Sequence, residues 1–315
     1  MIRETINYAT SHPVHGVCCF EPGEGMSIRI GLQLYSVRQS LAADPWGTLE
    51  AIAAAGYTYI EAANHNARTD PGVGFGVSAG EFRDRLNDLG LSIVGCHINP
   101  LDVQILPQAL EYQAELGNRD FGCDIEFFPH GDRDYILRRA ETFNRIGELA
   151  KSHGMRFYYH NHFQEFQRCG DQYVYEMILE NTDPDLVKIE MDTYWMYRGG
   201  QDPLEWMERY ADRIILLHQK DFPADSAQPL NLFDGVFSPT EDIDIDNFIE
   251  RKDPRCFTEI GTGVLPVQDI IDAAATLPAL DYLVLEQDFT ALPELESIQV
   301  SAQAFRYRFT GISWD

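Results

Sequence analysis

The sequence predicts a single-domain α/β protein built as a (β/α)₈ barrel, also called a TIM barrel. Short β-rich runs alternate with longer helical patterns, which is typical of βα units and a parallel sheet. Eight such units follow one another along the chain, and this number favours a closed barrel over a doubly wound sheet. The length of 315 residues, of which 44% are hydrophobic, suits one large domain with a sizeable core.

The eight predicted strands are short and rich in β-branched and aromatic residues. In chain order they are Ile28–Leu34, Tyr57–Ile60, Leu91–His97, Phe121–Ile125, Met155–Tyr159, Val187–Met191, Ile214–Leu217 and Tyr282–Leu285. The amphipathic helical patterns between them include Pro45–Ala55, Ala79–Leu89, Arg133–His153, Tyr173–Leu179 and Leu204–Tyr210. Gly56, Gly90 and Gly154 each separate a helical pattern from the next strand. We expect these three glycines to end their helices in the left-handed conformation.

Two regions do not fit the alternation. Residues 1–27 precede the first strand, and we interpret them as an N-terminal extension that packs on the barrel formed by residues 28–315. Residues 222–263 are too long for a simple βα loop. This insertion is interpreted either as a decorated loop or as a lid over the active site or a surface for a partner subunit.

The charge of the chain excludes several classes of function. It carries 24 Lys and Arg against 50 Asp and Glu, a formal net charge of −26, which argues against nucleic acid and anionic membrane surfaces as partners. The sequence has no apolar run long enough for a membrane span and no signal-peptide pattern at its start. Its six scattered cysteines indicate free thiols in a reducing compartment. We expect a cytoplasmic protein with a small-molecule substrate.

Side chains of metal-binding type follow most of the predicted strands. They are Glu61, His97, the run His160-Asn161-His162, Asp192, His218 and Glu286. The carboxyl ends of the strands in such a barrel converge on one mouth, where catalytic groups come from several strands. Asp192, His218 and Glu286 supply an imidazole and two carboxylates, a set suited to Mn²⁺, Mg²⁺ or Co²⁺. The absence of paired cysteines argues against a structural zinc site.

The fifth strand offers two candidates for a fourth ligand. His160 and His162 alternate along the strand, and Glu165 follows in the next loop. We favour Glu165 as the ligand, which leaves His160 and His162 for proton transfer. His160 is the alternative ligand. Lys220 either faces the mouth, where it would neutralise a developing oxyanion, or pairs with Asp221 at the surface.

Five further residues are interpreted as substrate-binding groups near the mouth. They are Gln33, Glu61, His97, Trp195 and Glu259. An aromatic residue such as Trp195 can instead belong to the core. Glu259 precedes a glycine-rich turn that lacks the lysine and the spacing of a phosphate loop, so no nucleotide site is expected there.

At the strand ends the chain resembles the xylose-isomerase-like TIM-barrel family, which covers sugar isomerases and epimerases, inosose dehydratase and the endonuclease IV group. The matching pieces, in the family's order, are GLQLYSVR (31–38), GYTYIE (56–61), YYHNHFQEF (158–166), IEMDTYW (189–195), LLHQKDF (216–222), EIGTG (259–263) and LEQD (285–288). The resemblance implies one divalent metal ion, with Asp192, His218 and Glu286 as three of its ligands. Many relatives have a Glu where this chain has His160, and the chain resembles the branch with an HNH…E pattern, in which Glu165 takes that role. We expect Mn²⁺, with Mg²⁺, Co²⁺ or Zn²⁺ as alternatives.

These residues predict a metal-dependent sugar isomerase or epimerase. The metal would stabilise an enediolate while His162 or His160, or less favourably Glu165 or Glu286, removes the proton next to a carbonyl. The first alternative is a lyase that acts on inososes or 3-keto-glycosides, including a C-glycoside-cleaving subunit with a small partner. The second is a sugar-binding barrel without catalysis. A homo-oligomer is expected, and a small partner subunit is compatible with the insertion.

Overall fold

The computed structural model describes residues 27–314, and they form a closed barrel of eight parallel strands, which confirms the predicted fold. The strands are β1 (Ile28–Gln33), β2 (Tyr59–Asn64), β3 (Ser92–Ile98), β4 (Asp120–Cys123), β5 (Arg156–His160), β6 (Val187–Asp192), β7 (Ile214–Gln219) and β8 (Tyr282–Leu285). Each strand pairs with the next one along the chain, and β8 pairs with β1, so that the sheet closes. The predicted N-terminal extension lies almost wholly outside the described residues.

Helices surround the barrel. They are α1 (Arg38–Ala43), α2 (Pro45–Ala55), α3 (Ala79–Leu89), α4 (Leu106–Leu116), α5 (Arg133–Ser152), α6 (Val174–Glu180), α7 (Thr193–Arg198), α8 (Pro203–Tyr210), α9 (Ile245–Arg251), α10 (Val267–Ala274) and α11 (Glu294–Tyr307). Gly56, Gly90 and Gly154 have φ angles of 94°, 68° and 71°, which confirms the three predicted left-handed helix ends. No helix within residues 27–314 is both long and apolar enough to cross a membrane.

Five strands, β2, β3, β5, β6 and β7, run further than predicted. In β2, β5, β6 and β7 the reason is that polar side chains lie inside the barrel and do not end the strand. Glu61 pairs with Gly95 in the middle of the β2–β3 ladder, which continues to Asn64 and Ile98. Both Glu61 and Asn64 are fully buried. The first polar residue after an apolar run is therefore a poor marker of where these strands end.

The barrel interior makes room for one large aromatic side chain, Tyr158 of β5. A Cβ atom at Gly122 would lie 2.0 Å from the ring of Tyr158, and one at Gly95 would lie 2.8 Å from its hydroxyl oxygen. Real Cβ atoms do not approach other atoms so closely, so both positions need glycine. The Tyr158 hydroxyl then donates a hydrogen bond to the Glu61 carboxylate across the barrel.

The insertion at residues 222–263 contains α9 and a short 3₁₀ helix at Pro254–Cys256. The end of α9 is held by two charged contacts. Arg251 Nη1 donates to Glu241 Oε1 at 2.7 Å, and Lys252 Nζ donates to Asp288 Oδ2 at 2.6 Å. These contacts fix α9 beside the end of β8, at the mouth of the barrel.

Candidate functional site

Four buried side chains from the last four strands meet at the mouth of the barrel. This mouth cluster consists of His160 at the end of β5, Asp192 at the end of β6, His218 on β7 and Glu286 after β8. One nitrogen or oxygen atom from each of them lies within 4.8 Å of the others. His160 Nε2 is 3.3 Å from Asp192 Oδ2, and His218 Nδ1 is 3.0 Å from Glu286 Oε2.

The mouth cluster could hold a divalent cation. Two imidazole nitrogens and two carboxylate oxygens form a donor set that Mn²⁺ and Zn²⁺ both accept. All four side chains are buried, Glu286 being the most exposed at 6%. A cation would therefore be held mainly by protein atoms, and two of the residues that would hold it, His160 and Glu286, also line the cavity above.

Lys220 places an ammonium group beside two of these carboxylates. It is fully buried, and its Nζ contacts Asp192 and lies 2.5 Å from Glu286 Oε2 and 3.4 Å from Asp288 Oδ1. Burial alone would raise the pKa of Glu286, but the Lys220 ammonium and the His218 imidazole outweigh it and hold the pKa well below its ordinary value. The pKa of Asp192 is lowered against its burial by Lys220 and His160. Both carboxyl groups are thus ionised, as metal ligands must be.

A second group, the inner cluster, lies one layer deeper in the barrel. It consists of Glu61, His97, Glu190 and the shared His218, all of them buried. His97 Nε2 lies 2.6 Å from Glu190 Oε2, and His218 Nε2 lies 3.0 Å from Glu190 Oε1. Burial opposes protonation of His97, but the carboxylates of Glu61 and Glu190 raise its pKa to about 9.

His218 connects the two clusters through its two ring nitrogens. Its Nε2 lies 2.6 Å from Glu61 Oε2, whereas its Nδ1 faces Glu286. Burial opposes protonation of His218, but the carboxylates of Glu190 and Glu61 raise its pKa well above its ordinary value, so the metal-free ring carries both protons. A cation in the mouth cluster would displace the Nδ1 proton, while the Nε2 proton stays donated to Glu61. This is the arrangement by which a carboxylate behind a histidine fixes the tautomer of a metal ligand.

His162 borders the cavity next to the mouth cluster. It is 8% exposed, stacks on Trp195 at a centroid distance of 5.0 Å and lines the cavity above the mouth cluster. Within residues 27–314 its Nδ1 has no hydrogen-bond partner. Burial, reinforced by the charges of His160 and Lys220, holds the pKa of His162 well below its ordinary value, so the ring is neutral.

The cavity above the mouth cluster has a volume of about 500 Å³. This lies within the range of sites that enclose small ligands, roughly 300–1,000 Å³. Its polar lining includes His65, His97, Asn99, Asp124, His160 and Glu286. Asn99 donates two hydrogen bonds to Asp124, at 2.9 and 3.0 Å, which orients both side chains at the edge of the cavity. Such a lining can hydrogen-bond the hydroxyl groups of a sugar-like ligand.

Glu165, the favoured fourth ligand, lies apart from the mouth cluster. The chain turns into a 3₁₀ helix at Gln164–Phe166, and Glu165 Oε1 accepts a hydrogen bond of 2.8 Å from the Tyr159 hydroxyl. Its Oε2 accepts one of 3.0 Å from the backbone N–H of His162. Tyr159 and His160 alternate on β5 and face opposite sides of the sheet, so Glu165 lies on the outer side of the strand. Burial raises the pKa of Glu165 to about 8.

The other predicted site residues are spread over three environments. Gln33 is fully buried in the barrel, where its Oε1 accepts a hydrogen bond from the Tyr35 backbone. Trp195 is buried and borders a smaller cavity beside His162. Glu259 accepts a hydrogen bond from Thr290 and does not line the large cavity.

The alternative of a Lys220–Asp221 surface pair is wrong, because both side chains are buried. The Asp221 carboxylate instead accepts hydrogen bonds from the backbone N–H groups of Gly261, Gly263 and Leu265, at 2.9 to 3.1 Å. It thereby fixes the glycine-rich turn that follows Glu259.

Sequence reasoning missed Glu190, Asp288 and Lys252. Glu190 had a signal, since it stands two residues before Asp192 and so shares the inner face of β6. Asp288 follows β8 and contacts both Lys220 and Lys252. Lys252 comes from the insertion, where no periodic pattern indicates that a side chain reaches the mouth.

Comparisons with known proteins agree with this architecture. A stretch of 95 residues is 37% identical to inosose dehydratase from Lacticaseibacillus casei, and one of 103 residues is 33% identical to inosose dehydratase from Clostridium beijerinckii. These stretches span only 30% and 33% of those relatives and of this chain. A solved structure of a sugar phosphate isomerase/epimerase from Parabacteroides distasonis is 25% identical, with a TM-score of 0.67 over 95% of this chain and 100% of that one. Residues 49–307 match the xylose isomerase-like TIM barrel family, and the chain belongs to that family.

Proposed function

We propose that the chain catalyses metal-dependent proton transfer at the carbon next to the carbonyl of a keto-sugar, as an isomerase or epimerase. The observation that carries this proposal is the mouth cluster, whose four donor atoms lie within 4.8 Å of one another below a sugar-sized cavity. A neutral histidine, His162, lines the same cavity. Acid–base chemistry beside a polarised carbonyl needs these two parts.

In this proposal His160, Asp192, His218 and Glu286 would hold one Mn²⁺ ion, with His160 as the fourth ligand in place of Glu165. When bound, the ion would polarise the carbonyl oxygen of the substrate and lower the energy of negative charge on it. Lys220 adds a positive charge next to the same carboxylates. Because Lys220 is fully buried and does not line the cavity, its ammonium acts through these carboxylates, which it keeps ionised for the metal.

His162 lines the cavity with a neutral ring, which removes the carbon-bound proton and then holds it. Return of this proton to the former carbonyl carbon, with transfer of the hydroxyl proton to the former carbonyl oxygen, gives isomerisation. Return of a proton from solvent to the other face of the same carbon gives epimerisation. The depressed pKa keeps the His162 imidazole neutral, and therefore available to accept a proton, at physiological pH. Asn99 and Asp124 bind the sugar hydroxyls and orient the carbon towards His162.

A lyase is the second candidate. It is favoured by the curated relatives, which are inosose dehydratases, and by Lys252, whose ammonium lines the cavity. After the same proton abstraction, Lys252 would protonate a leaving group on the next carbon. Loss of water would then correspond to a dehydratase, and loss of an aglycone to the cleavage of a 3-keto-glycoside.

Deuterium exchange from solvent tests the shared step. The protein is supplied with Mn²⁺ and incubated in D₂O with a ketose, an inosose or a 3-keto-glucoside, and the products are identified by NMR and mass spectrometry. Exchange with a new sugar isomer supports the isomerase or epimerase, whereas an unsaturated product or a released aglycone supports the lyase. Binding of metal and sugar without exchange would contradict the proposal and favour a non-catalytic sugar-binding barrel.

A further inference from the structure

The large cavity has an apolar wall that a sugar ring does not explain. Ile245 and Ile249 of α9 both line it and are 45% and 63% exposed. Their spacing of four residues places them on one face of the helix. Phe248 and Phe289 line the same cavity, as does Ile125.

This exposure is concentrated at the site. Among residues 27–314 the exposed large apolar side chains are Val103, Ile245, Ile249, Val264 and Tyr307. The two isoleucines line the cavity of the mouth cluster, and the other three do not. Single exposed apolar residues are normal, but a pair on one helix face beside a candidate catalytic centre indicates a binding surface.

The wall is also held in place. Arg251 donates to Glu241 at 2.7 Å, Lys252 donates to Asp288 at 2.6 Å, and the Arg251 carbonyl accepts a hydrogen bond of 2.9 Å from Gln228. These contacts fix the C-terminal end of α9 from three sides. The isoleucines therefore form a preformed surface beside the cavity, as ligand sites usually do.

We infer that Ile245, Phe248, Ile249 and Phe289 form a subsite for an apolar substituent, of about the size of a phenyl ring, carried by the sugar. A bare sugar would bring mainly hydroxyl groups to this wall, where they find no hydrogen-bond partner and leave Ile245 and Ile249 largely in water. An aryl or alkyl group gains free energy there by leaving water. This inference rests on the proposed function in one respect, namely that the ligand contains a sugar.

Equilibrium binding tests this subsite without turnover. Methyl β-glucoside and phenyl β-glucoside are titrated into the Mn²⁺-loaded full chain by calorimetry. We expect phenyl β-glucoside to bind about tenfold or more tightly, since one methylene in a hydrophobic pocket already changes discrimination by roughly 10–200-fold. Ile249→Asn should lower the phenyl-to-methyl affinity ratio by about fivefold or more. Val264→Asn is the matched control, because Val264 is 55% exposed and lies outside the cavity, and it should keep the ratio.

Equal affinities for the two glucosides, or no binding of either, would overturn the inference. An Ile249→Asn protein that keeps the phenyl-to-methyl affinity ratio would also overturn it. If that variant also has a lower mass in sedimentation, the wall is instead the contact surface of a second copy. Deuterium exchange reports on the proposed function separately. If deuterium exchange occurs but the two glucosides bind equally, only the subsite is contradicted. If phenyl β-glucoside binds tenfold more tightly but no deuterium exchange occurs, only the proposed reaction is contradicted.

Discussion

The Nε2 atom of His218 lies 2.6 Å from the Glu61 carboxylate inside the barrel. This contact directs the other ring nitrogen towards the mouth cluster. We predict that Glu61→Gln weakens Mn²⁺ binding by about 10–100-fold, the usual effect of removing a carboxylate behind a metal-bound histidine. Titration with Mn²⁺ checks this, with Glu50→Gln on the outer helix α2 as control. An unchanged dissociation constant would show that Glu61 does not orient His218.

Replacement of Lys220 should couple stability to metal. In Lys220→Met the carboxylates of Asp192, Glu286 and Asp288 lose a buried cation, and unpairing a buried charge typically costs about 3–5 kcal/mol. We expect the metal-free variant to melt well below the metal-free wild type, and saturating Mn²⁺ to raise its melting temperature more than that of the wild type. Thermal unfolding with EDTA and with Mn²⁺ measures both shifts.

Lys188→Met is the control for this experiment, since Lys188 contacts the Pro184 carbonyl and Asp185 at the outer end of β6. It should show the wild-type response to Mn²⁺. Equal metal-induced shifts in Lys220→Met and the wild type would rule out a shared electrostatic site.

His162→Gln should lower the rate of deuterium exchange by about 10²-fold or more while metal content is kept. The rate falls because Gln cannot accept the substrate proton. The metal content is kept because His162 lies outside the mouth cluster. Exchange rates and metal analysis on the same samples check both parts, with His153→Gln at the end of α5 as control. Near-normal exchange would assign the proton transfer to another group.

The Glu165 carboxyl group predicts a pH dependence of stability. Because burial raises its pKa from 4.5 to about 8 in the folded state, its contribution is fully present below pH 4.5 and is lost as the pH rises towards 8. We expect wild type to lose about 3–4 kcal/mol relative to Glu165→Gln between about pH 5 and pH 8, at about 1.36 kcal/mol per pKa unit. Urea unfolding of both proteins at the two pH values measures this change. A difference that stays constant with pH would contradict the raised pKa.

The fold was predictable because strand and helix patterns alternate without interruption outside one insertion. The proximity of Asp192, His218 and Glu286 was predictable from the same pattern, because the carboxyl ends of barrel strands meet at one mouth. Their role as metal ligands stays a prediction. The parallel strands themselves are buried on both faces, so their positions could be found from apolar runs alone.

Three members of the inner cluster, Glu61, His97 and His218, were singled out from the sequence, but Glu190 and the contact among the four were not. Glu61 and Glu190 lie in the middle of buried ladders, where an alternation rule expects apolar residues. The side on which Glu165 lies depends on the turn after β5, which one sequence does not determine. Lys252 reaches the mouth from an irregular insertion, and only the packing of α9 places it there.

Metal content tests the central claim most directly. The protein and its variants are loaded with Mn²⁺, dialysed and analysed for bound metal. We predict about one equivalent in wild type and in Glu165→Gln, and loss of that equivalent in His160→Gln, Asp192→Ala and His218→Ala, because the last three remove donors of the mouth cluster. Two results would contradict this site. One is full metal content in Asp192→Ala and His218→Ala. The other is loss of metal in Glu165→Gln while His160→Gln retains it.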